Sequence, residues 1–427
     1  MRNDVAIRAG ILSLTVHAII TLCALHPSWR GQPLLAPDSH TYILPAENML
    51  RAGAFSRETA PPFIWEPYRT IGYPVLIAIS EKLFGSVVWV MFFASVTAGV
   101  AAWVAIKMVE EWGGGRIEQI VCGIAAAFLP NSLGLSAQVL TDAIAGHLTL
   151  IWMYAIYKSL RSPAFAVVLI AGGLTVVLQS LKPTFNIIFI PILLCGSLFC
   201  RSKKGLITLT LLIAMSIPVP FFHAAMNNKD HNIFSPSLLG VETIREYFQV
   251  RALVEDNGRD YVTITEEVRR LDRLRADSLT VPSSPYGRLY LVKKSEVENF
   301  FKKQPLRVLR LAVTEMMQQL AAPQEFVFQL FAGDLPVWGR VLGSLLTLVF
   351  WIVTAWGAFM LGQTGDWRPG VLVFGVLVFF LATGSVSHFV GARLRFPADV
   401  TAIPLFAIGL AGLFTQRFRG QILANAG

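Results

Sequence analysis

The feature that most constrains this chain is a succession of apolar runs, each close to the roughly 20 residues a helix needs to cross a bilayer. They cover about 10–27, 86–108, 117–134, 138–157, 164–181, 184–200, 205–222, 338–361, 369–389 and 398–416. In hydrocarbon every backbone N–H and C=O must be paired within the protein, so isolated runs of this length fold as helices. The expectation is an all-α, polytopic membrane protein with about ten transmembrane helices. Composition agrees: 54% of the 427 residues are hydrophobic and 15% are charged, against about a quarter charged in soluble domains. A formal charge of +9 would point to nucleic acid in a soluble domain. Here basic loops and contacts with anionic membrane lipid account for most of it, and no nucleic-acid partner is expected.

Basic residues set the orientation. Lys158, Arg161, the Arg201-Ser202-Lys203-Lys204 cluster, Arg368, Arg417 and Arg419 fall on one side, which the positive-inside rule makes cytoplasmic together with the N-terminus. The first run follows Arg2 and Arg8 without a small-x-small cleavage site, so it reads as an uncleaved helix rather than a signal peptide. Two segments do not read as spans. Residues 72–84 are short and carry Glu81-Lys82, so they are expected along the outer interface. Residues 305–332 carry Arg307, Arg310, Glu315, Gln318 and Gln319, which are costly across a bilayer. They are expected outside, as an amphipathic or re-entrant segment. Three parts follow: a transmembrane module at 1–222 with a first outer loop at 28–85, an extracytoplasmic helical region at 223–337, and a second transmembrane module at 338–427. Helices in the middle region are expected near 241–255, 263–276 and 289–303.

With this topology the ionisable residues near helix ends gather on the extracytoplasmic side. Asp38, Glu66 and Arg69 lie in the first loop. Asp142 opens the fourth run, Lys182 precedes Pro183, and His388, Arg393 and Arg395 precede the last run. Charges at a bilayer are costly, so their convergence marks a functional site. The residue types suit departure of a phosphate leaving group. Arg69, Lys182, Arg393 and Arg395 are the candidate phosphate ligands, arginine through a planar fork and lysine as a point charge. A placed carboxylate can take the proton of an attacking hydroxyl. Asp38 fits that role, with Tyr42 one helical turn further on. Tyr42, Glu66, Tyr73, Asp142 and His388 are the candidate supporting residues. Plainer readings stand beside these. Asp38 can cap a helix, Arg393, Arg395 and His388 can sit at headgroup level, and Lys182 can snorkel. Cys23, Cys122, Cys195 and Cys200 read as small apolar residues without disulfide or metal spacing. No cofactor is assigned; a divalent cation is left open.

The motif Asp38-…-Tyr42-…-Ala46-…-Gly53, followed by Arg69-Thr70-Ile71-Gly72-Tyr73-Pro74 and Leu83-Phe84-Gly85, resembles the first extracytoplasmic loop of C-type glycosyltransferases. Protein O-mannosyltransferases and bacterial lipid A aminoarabinose transferases are the nearest in pattern. Pro130 to Asp142 is similar to the stretch bearing a second acid, and Lys182-Pro183 to an Arg-Pro pair. Arg393-Leu394-Arg395-Phe396-Pro397 is similar to the Arg-Tyr-Arg-x-Pro before the final helix. The chain departs from the pattern at Ser39, where many relatives carry a second acid, and at Ile71, where Pro is usual. The resemblance implies the C-type glycosyltransferase fold with helical extracytoplasmic loops. It also implies transfer of a sugar from a polyprenyl-phosphate donor to an acceptor glycan, lipid or protein, with inversion. Asp38 would be the general base and the arginines near the C-terminus would hold the carrier phosphate. The expected setting is a bacterial inner membrane with an undecaprenyl carrier. Two rivals belong to other classes. A lipid-linked glycan flippase would spread polar residues through the membrane depth and show repeated halves, and a non-enzymatic partner in cell-envelope polysaccharide assembly would need no base.

Overall fold

The computed structural model describes residues 2–29, 34–192, 196, 203–386 and 391–414, and among these every regular element is helical. The first half holds α1 (Arg2–Leu25), α2 (His40–Ala52), α3 (Gly72–Phe84), α4 (Val90–Glu111), α5 (Arg116–Phe128), α6 (Pro130–Ser136), α7 (Asp142–Arg161) and α8 (Phe165–Leu181). Then come α9 (Lys203–Met215), α10 (Pro218–His231), α11 (Leu239–Thr243), a π-helix at Ile244–Gln249, α12 (Val250–Asn257), α13 (Tyr261–Ser278) and α14 (Pro285–Lys303). The last stretch holds α15 (Pro305–Ala321), α16 (Phe326–Ala332), α17 (Val337–Gln363), α18 (Arg368–Gly384) and α19 (Phe396–Phe414).

Five of the described helices are long and apolar enough to cross a membrane: Asp4–Leu25, Val87–Glu111, Lys203–His231, Val337–Gln363 and Phe396–Phe414. The pair α5 and α6, bent by 41° at Leu129-Pro130, passes the same test of length and composition only when the two are taken together, as a broken span or a re-entrant loop. Pro130 lacks the N–H that would continue the ladder of α5, so the chain breaks there and restarts. Phe165–Leu181, Pro183–Ile192 and Arg368–Gly384 are shorter apolar helices. This is a multi-pass membrane protein; helix length and composition alone do not fix the count at ten. Many large apolar side chains of α17 face outward, Val341, Leu345 and Ile352 among them, as a helix bordering lipid requires. Its other face meets α19 so closely that a Cβ on Gly357 would lie 2.0 Å from the Leu405 carbonyl oxygen. Small residues at such crossings are how membrane helices pack without a hydrophobic drive.

Residues 72–84 form one short helix, α3, ended by Gly85 at φ +71°. The stretches expected near 241–255, 263–276 and 289–303 are helical, with the π-helix inside the first. This region is fastened to the loop between α2 and α3. The Trp65 N–H donates to Asp230 at 2.8 Å, and the Trp65 carbonyl lies 2.8 Å from His231 Nε2. The Leu238 N–H donates to the Pro67 carbonyl at 2.9 Å, and the Ser237 hydroxyl to the Tyr68 carbonyl at 2.8 Å. Residues 305–332 are two helices: α15 packs on α17 and α18, and α16 packs on α6.

Candidate active site

Ahead of α2 the chain is pinned to the stretch between α6 and α7. The Ser39 hydroxyl donates to the Val139 carbonyl at 2.8 Å, and the Val139 N–H donates to the Leu34 carbonyl at 3.3 Å. Asp38 does not cap α2 with its carboxylate. Its carbonyl oxygen takes the Thr41 N–H at 3.0 Å and the Thr41 hydroxyl at 2.6 Å, and no side chain caps that helix start. The carboxylate is left to face two arginines, with Arg69 Nη2 at 3.3 Å and Arg393 Nη1 at 2.9 Å.

Asp142, the first residue of α7, is the second carboxylate. Arg393 Nε lies 2.9 Å from one of its oxygens and Lys182 Nζ 2.6 Å from the other. The result is an alternating row: Arg69, Asp38, Arg393, Asp142, Lys182. Three cations face two acids, leaving one positive charge over and a cation at each end. Asp142 is 1% exposed and Asp38 39%, so the open carboxylate is Asp38. Burial pushes the Asp38 carboxyl up, but Arg393 and Arg69 together outweigh it and hold it below the usual range.

Local structure sets each member of the row. Glu66 is buried, paired with Arg57, and accepts the N–H groups of Tyr68 at 2.8 Å and Arg69 at 3.1 Å. Burial raises its carboxyl against the pull of Arg57. Glu66 thus fixes the backbone that carries Arg69. The Arg69 guanidinium lies 4.7 Å from the centre of the Tyr42 ring and donates to its hydroxyl at 3.1 Å. Tyr73, fully buried, supports that ring edge-on at 5.2 Å. Lys182 is extended, at φ −148° and ψ 130°, because Pro183 disfavours a helical residue before it. Gly72 sits against the end of α8, where a Cβ would lie 2.5 Å from Ser180 Oγ and 2.7 Å from its carbonyl oxygen.

Arg395 is committed elsewhere. It is 0% exposed and bonds Asp399 at 2.8 and 3.2 Å, the carbonyls of Leu320 at 2.8 Å and Ala322 at 3.1 Å, and the carbonyl of Gln319. It binds carbonyls at and just past the C-terminal end of α15, where the helix's own N–H donors run out. The structure does not bring Arg395 into the row. His388 lies outside the described residues, as do Cys195, Cys200, Arg201, Arg417 and Arg419. Among the described residues no group of three or more His, Cys, Asp or Glu is placed to hold a metal ion. Arg393 stands between the two acids, so the row does not fit a divalent cation.

Sequence reasoning passed over three buried residues, His17, Ser132 and His147, joined by hydrogen bonds of 2.9 and 2.7 Å. They are 115 and 15 residues apart in the chain, and only a histidine inside an otherwise apolar run hints at them.

No family profile and no curated protein matches this sequence. Solved structures do match. The oligosaccharyltransferase of Archaeoglobus fulgidus in its apo form aligns over 100% of this chain and 52% of its own, at 14% identity and a TM-score of 0.56. The same archaeal enzyme, AglB, in complex with an inhibitory peptide and a dolichol-phosphate aligns over the same shares at 13% identity and a TM-score of 0.54. ArnT from Cupriavidus metallidurans aligns over 94% of this chain and 77% of its own at 12% identity, with a TM-score of 0.40, too low to speak for the fold. The chain spans about half the length of the archaeal enzyme and shares its fold. That is the C-type glycosyltransferase fold the motifs implied.

Proposed function

We propose that this chain is an integral-membrane glycosyltransferase that moves a sugar, with inversion, from a polyprenyl-phosphate donor to an extracytoplasmic acceptor. The observation that carries the reading is the row Arg69–Asp38–Arg393–Asp142–Lys182, with its excess cation and its one open acid. Arg69, Arg393 and Lys182 hold the carrier phosphate and stabilise the charge that grows on it as the glycosidic C–O bond breaks. Asp38 takes the proton of the acceptor hydroxyl as that oxygen attacks the anomeric carbon. A phosphate bound by Arg69 and Arg393 draws them from Asp38, and its negative charge raises the basicity of the carboxylate it frees. Asp142 keeps Arg393 and Lys182 in place, while Arg395 fastens the last helix to the end of α15. In our reading the site faces the extracytoplasmic side of a bacterial inner membrane, with an undecaprenyl carrier; the basic connections on the opposite side support this.

The test is transfer from a labelled undecaprenyl-phosphate sugar by purified protein in nanodiscs. Asp38→Asn keeps the size of the side chain and removes its basicity, so turnover is expected to fall about 10²–10⁴-fold with donor affinity retained. Wild-type turnover in a correctly inserted Asp38→Asn protein would remove the base from Asp38.

A further inference from the structure

Two histidines are buried among apolar helices, 0% exposed for His17 on α1 and 2% for His147 on α7. A single serine on α6 joins them. His17 Nδ1 lies 2.8 Å from the Ser13 carbonyl, an acceptor only, so in the neutral ring Nδ1 carries the hydrogen and Nε2 a lone pair. Ser132, 2.9 Å from that Nε2, must therefore donate to it. The Ser132 oxygen also lies 2.7 Å from His147 Nε2. His147 Nδ1 faces the Thr97 hydroxyl of α4 at 3.1 Å, and that hydroxyl also donates to the Ala94 carbonyl at 2.9 Å. Ser132 thus stands between the two rings, within hydrogen-bond distance of both.

This chain closes a loop that matters for the row of charges. Ser132 and His147 are the two ends of a strap, and within it lie Val139, which holds Ser39 beside Asp38, and Asp142, which holds Arg393 and Lys182. Both carboxylates hang on the strap. Its near end, α6, exists because Pro130 breaks the preceding helix, and Gly134 lets α16 seat on it, where a Cβ would lie 2.3 Å from the backbone of Phe326. Its far end is held by the ring of Phe396, 5.9 Å from that of His147 and three residues after Arg393. Polar side chains inside a membrane protein are costly, and hydrogen bonds between helices are their common use.

We infer that the Ser132–His147–His17 chain is the clasp that positions Asp38 and Asp142. The part played in turnover rests on the transferase reading above; the clasp itself does not. The discriminating pair is Ser132→Ala, which cannot link the two rings, and Ser132→Thr, which keeps the hydroxyl. Hydrogen exchange of the backbone at 137–141 in the full chain in nanodiscs is expected to quicken in Ser132→Ala and to return toward wild type in Ser132→Thr. Turnover is expected to follow the same order, falling about 10²-fold in Ser132→Ala, the scale of a small misplacement of reacting groups, with the KM for donor little changed. Exchange at 137–141 that is unchanged in Ser132→Ala would overturn the clasp whatever the turnover. A quickening that Ser132→Thr does not reverse would overturn it too, assigning the effect to packing. Absence of transfer in the wild type would remove the proposed function and leave the exchange result to stand or fall alone.

Discussion

Two ion networks in this molecule use the same residue types and are finished differently. Between α13 and the π-helix, Arg245 grips Asp272 with Nε at 3.0 Å and Nη2 at 2.8 Å, and the two side chains are 7% and 0% exposed. Beside it Lys293 lies 3.2 Å from Glu242 and 2.5 Å from Glu246, and Arg269 closes on Glu246 at 2.8 Å. Each of these cations has an acid to match it. In the row at the helix ends three cations share two acids, and Asp38 keeps 39% of its side chain open. A matched buried network holds helices together. An unmatched one keeps charge available for a ligand, and that is the difference our proposal draws between scaffold and site.

The comparison breaks most readily at Arg245. Removing one partner of a buried pair leaves the other charge stranded, so Arg245→Met is expected to cost about 3–5 kcal/mol. Arg245→Met with Asp272→Leu should recover most of it, since matched apolar replacements of a buried pair are often neutral. Denaturant unfolding of the purified protein reads both. A single variant as stable as wild type would show that the pair is not the scaffold described. Gly72→Ala tests the packing under the row. The new methyl meets Ser180, two residues before Lys182, and overpacking of this kind costs about 1–3 kcal/mol. Thermal unfolding should fall modestly while donor binding falls with it, because α3 and the end of α8 move apart. Loss of stability with intact donor binding would separate Gly72 from the site.

The smallest effect is on pH dependence. Asp38 is held below its usual value near about 3.9 because Arg393 and Arg69 outweigh burial. A carboxyl depressed in the fold contributes stability above its unfolded pKa and loses it as pH falls through the folded value. The acid limb of donor-free stability assigned to Asp38 should therefore lie below the ordinary aspartate range. Arg69→Gln should move that limb upward, by removing one of the two cations. An unshifted limb in Arg69→Gln would detach Arg69 from Asp38.

Much of the site was legible in the sequence, for physical reasons that differ by residue. Asp38, Arg69, Asp142, Lys182 and Arg393 stand at helix ends beside apolar runs, where an ionisable group needs a partner, and the row supplies one for each. Tyr42 was legible from its helical spacing to Asp38 and Tyr73 from the Gly72-Tyr73-Pro74 motif, and their rings meet edge-on. Arg393 and Arg395 could not be told apart, since two arginines one residue apart look alike until the chain turns through Gly391–Arg393 and sends one to a carboxylate and the other to the end of α15. Glu66 read as a supporting residue; its role as the backbone support of Arg69 depends on a loop conformation that no periodicity encodes. The helices of 239–303 were legible from their amphipathic pattern, but the π-helix inside them was not. His17, Ser132 and His147 were illegible because their partnership is purely tertiary, made by the break at Pro130.

Under our proposal the unmatched cations of the row bind a lipid phosphate while the matched ones do not, and Arg393 and Arg395 test this side by side. The measurement is binding of undecaprenyl phosphate to Arg393→Lys and Arg395→Lys proteins in nanodiscs, scaled to the folded fraction from thermal unfolding. Lysine replaces a planar fork by a point charge. Arg393→Lys is expected to lose binding by about tenfold or more, a charge-assisted contact of about 1.5–3 kcal/mol, with its unfolding temperature little changed. Arg395→Lys is expected to unfold at lower temperature and to bind normally where folded. Wild-type affinity in Arg393→Lys, or lost binding in the folded fraction of Arg395→Lys, would contradict the account.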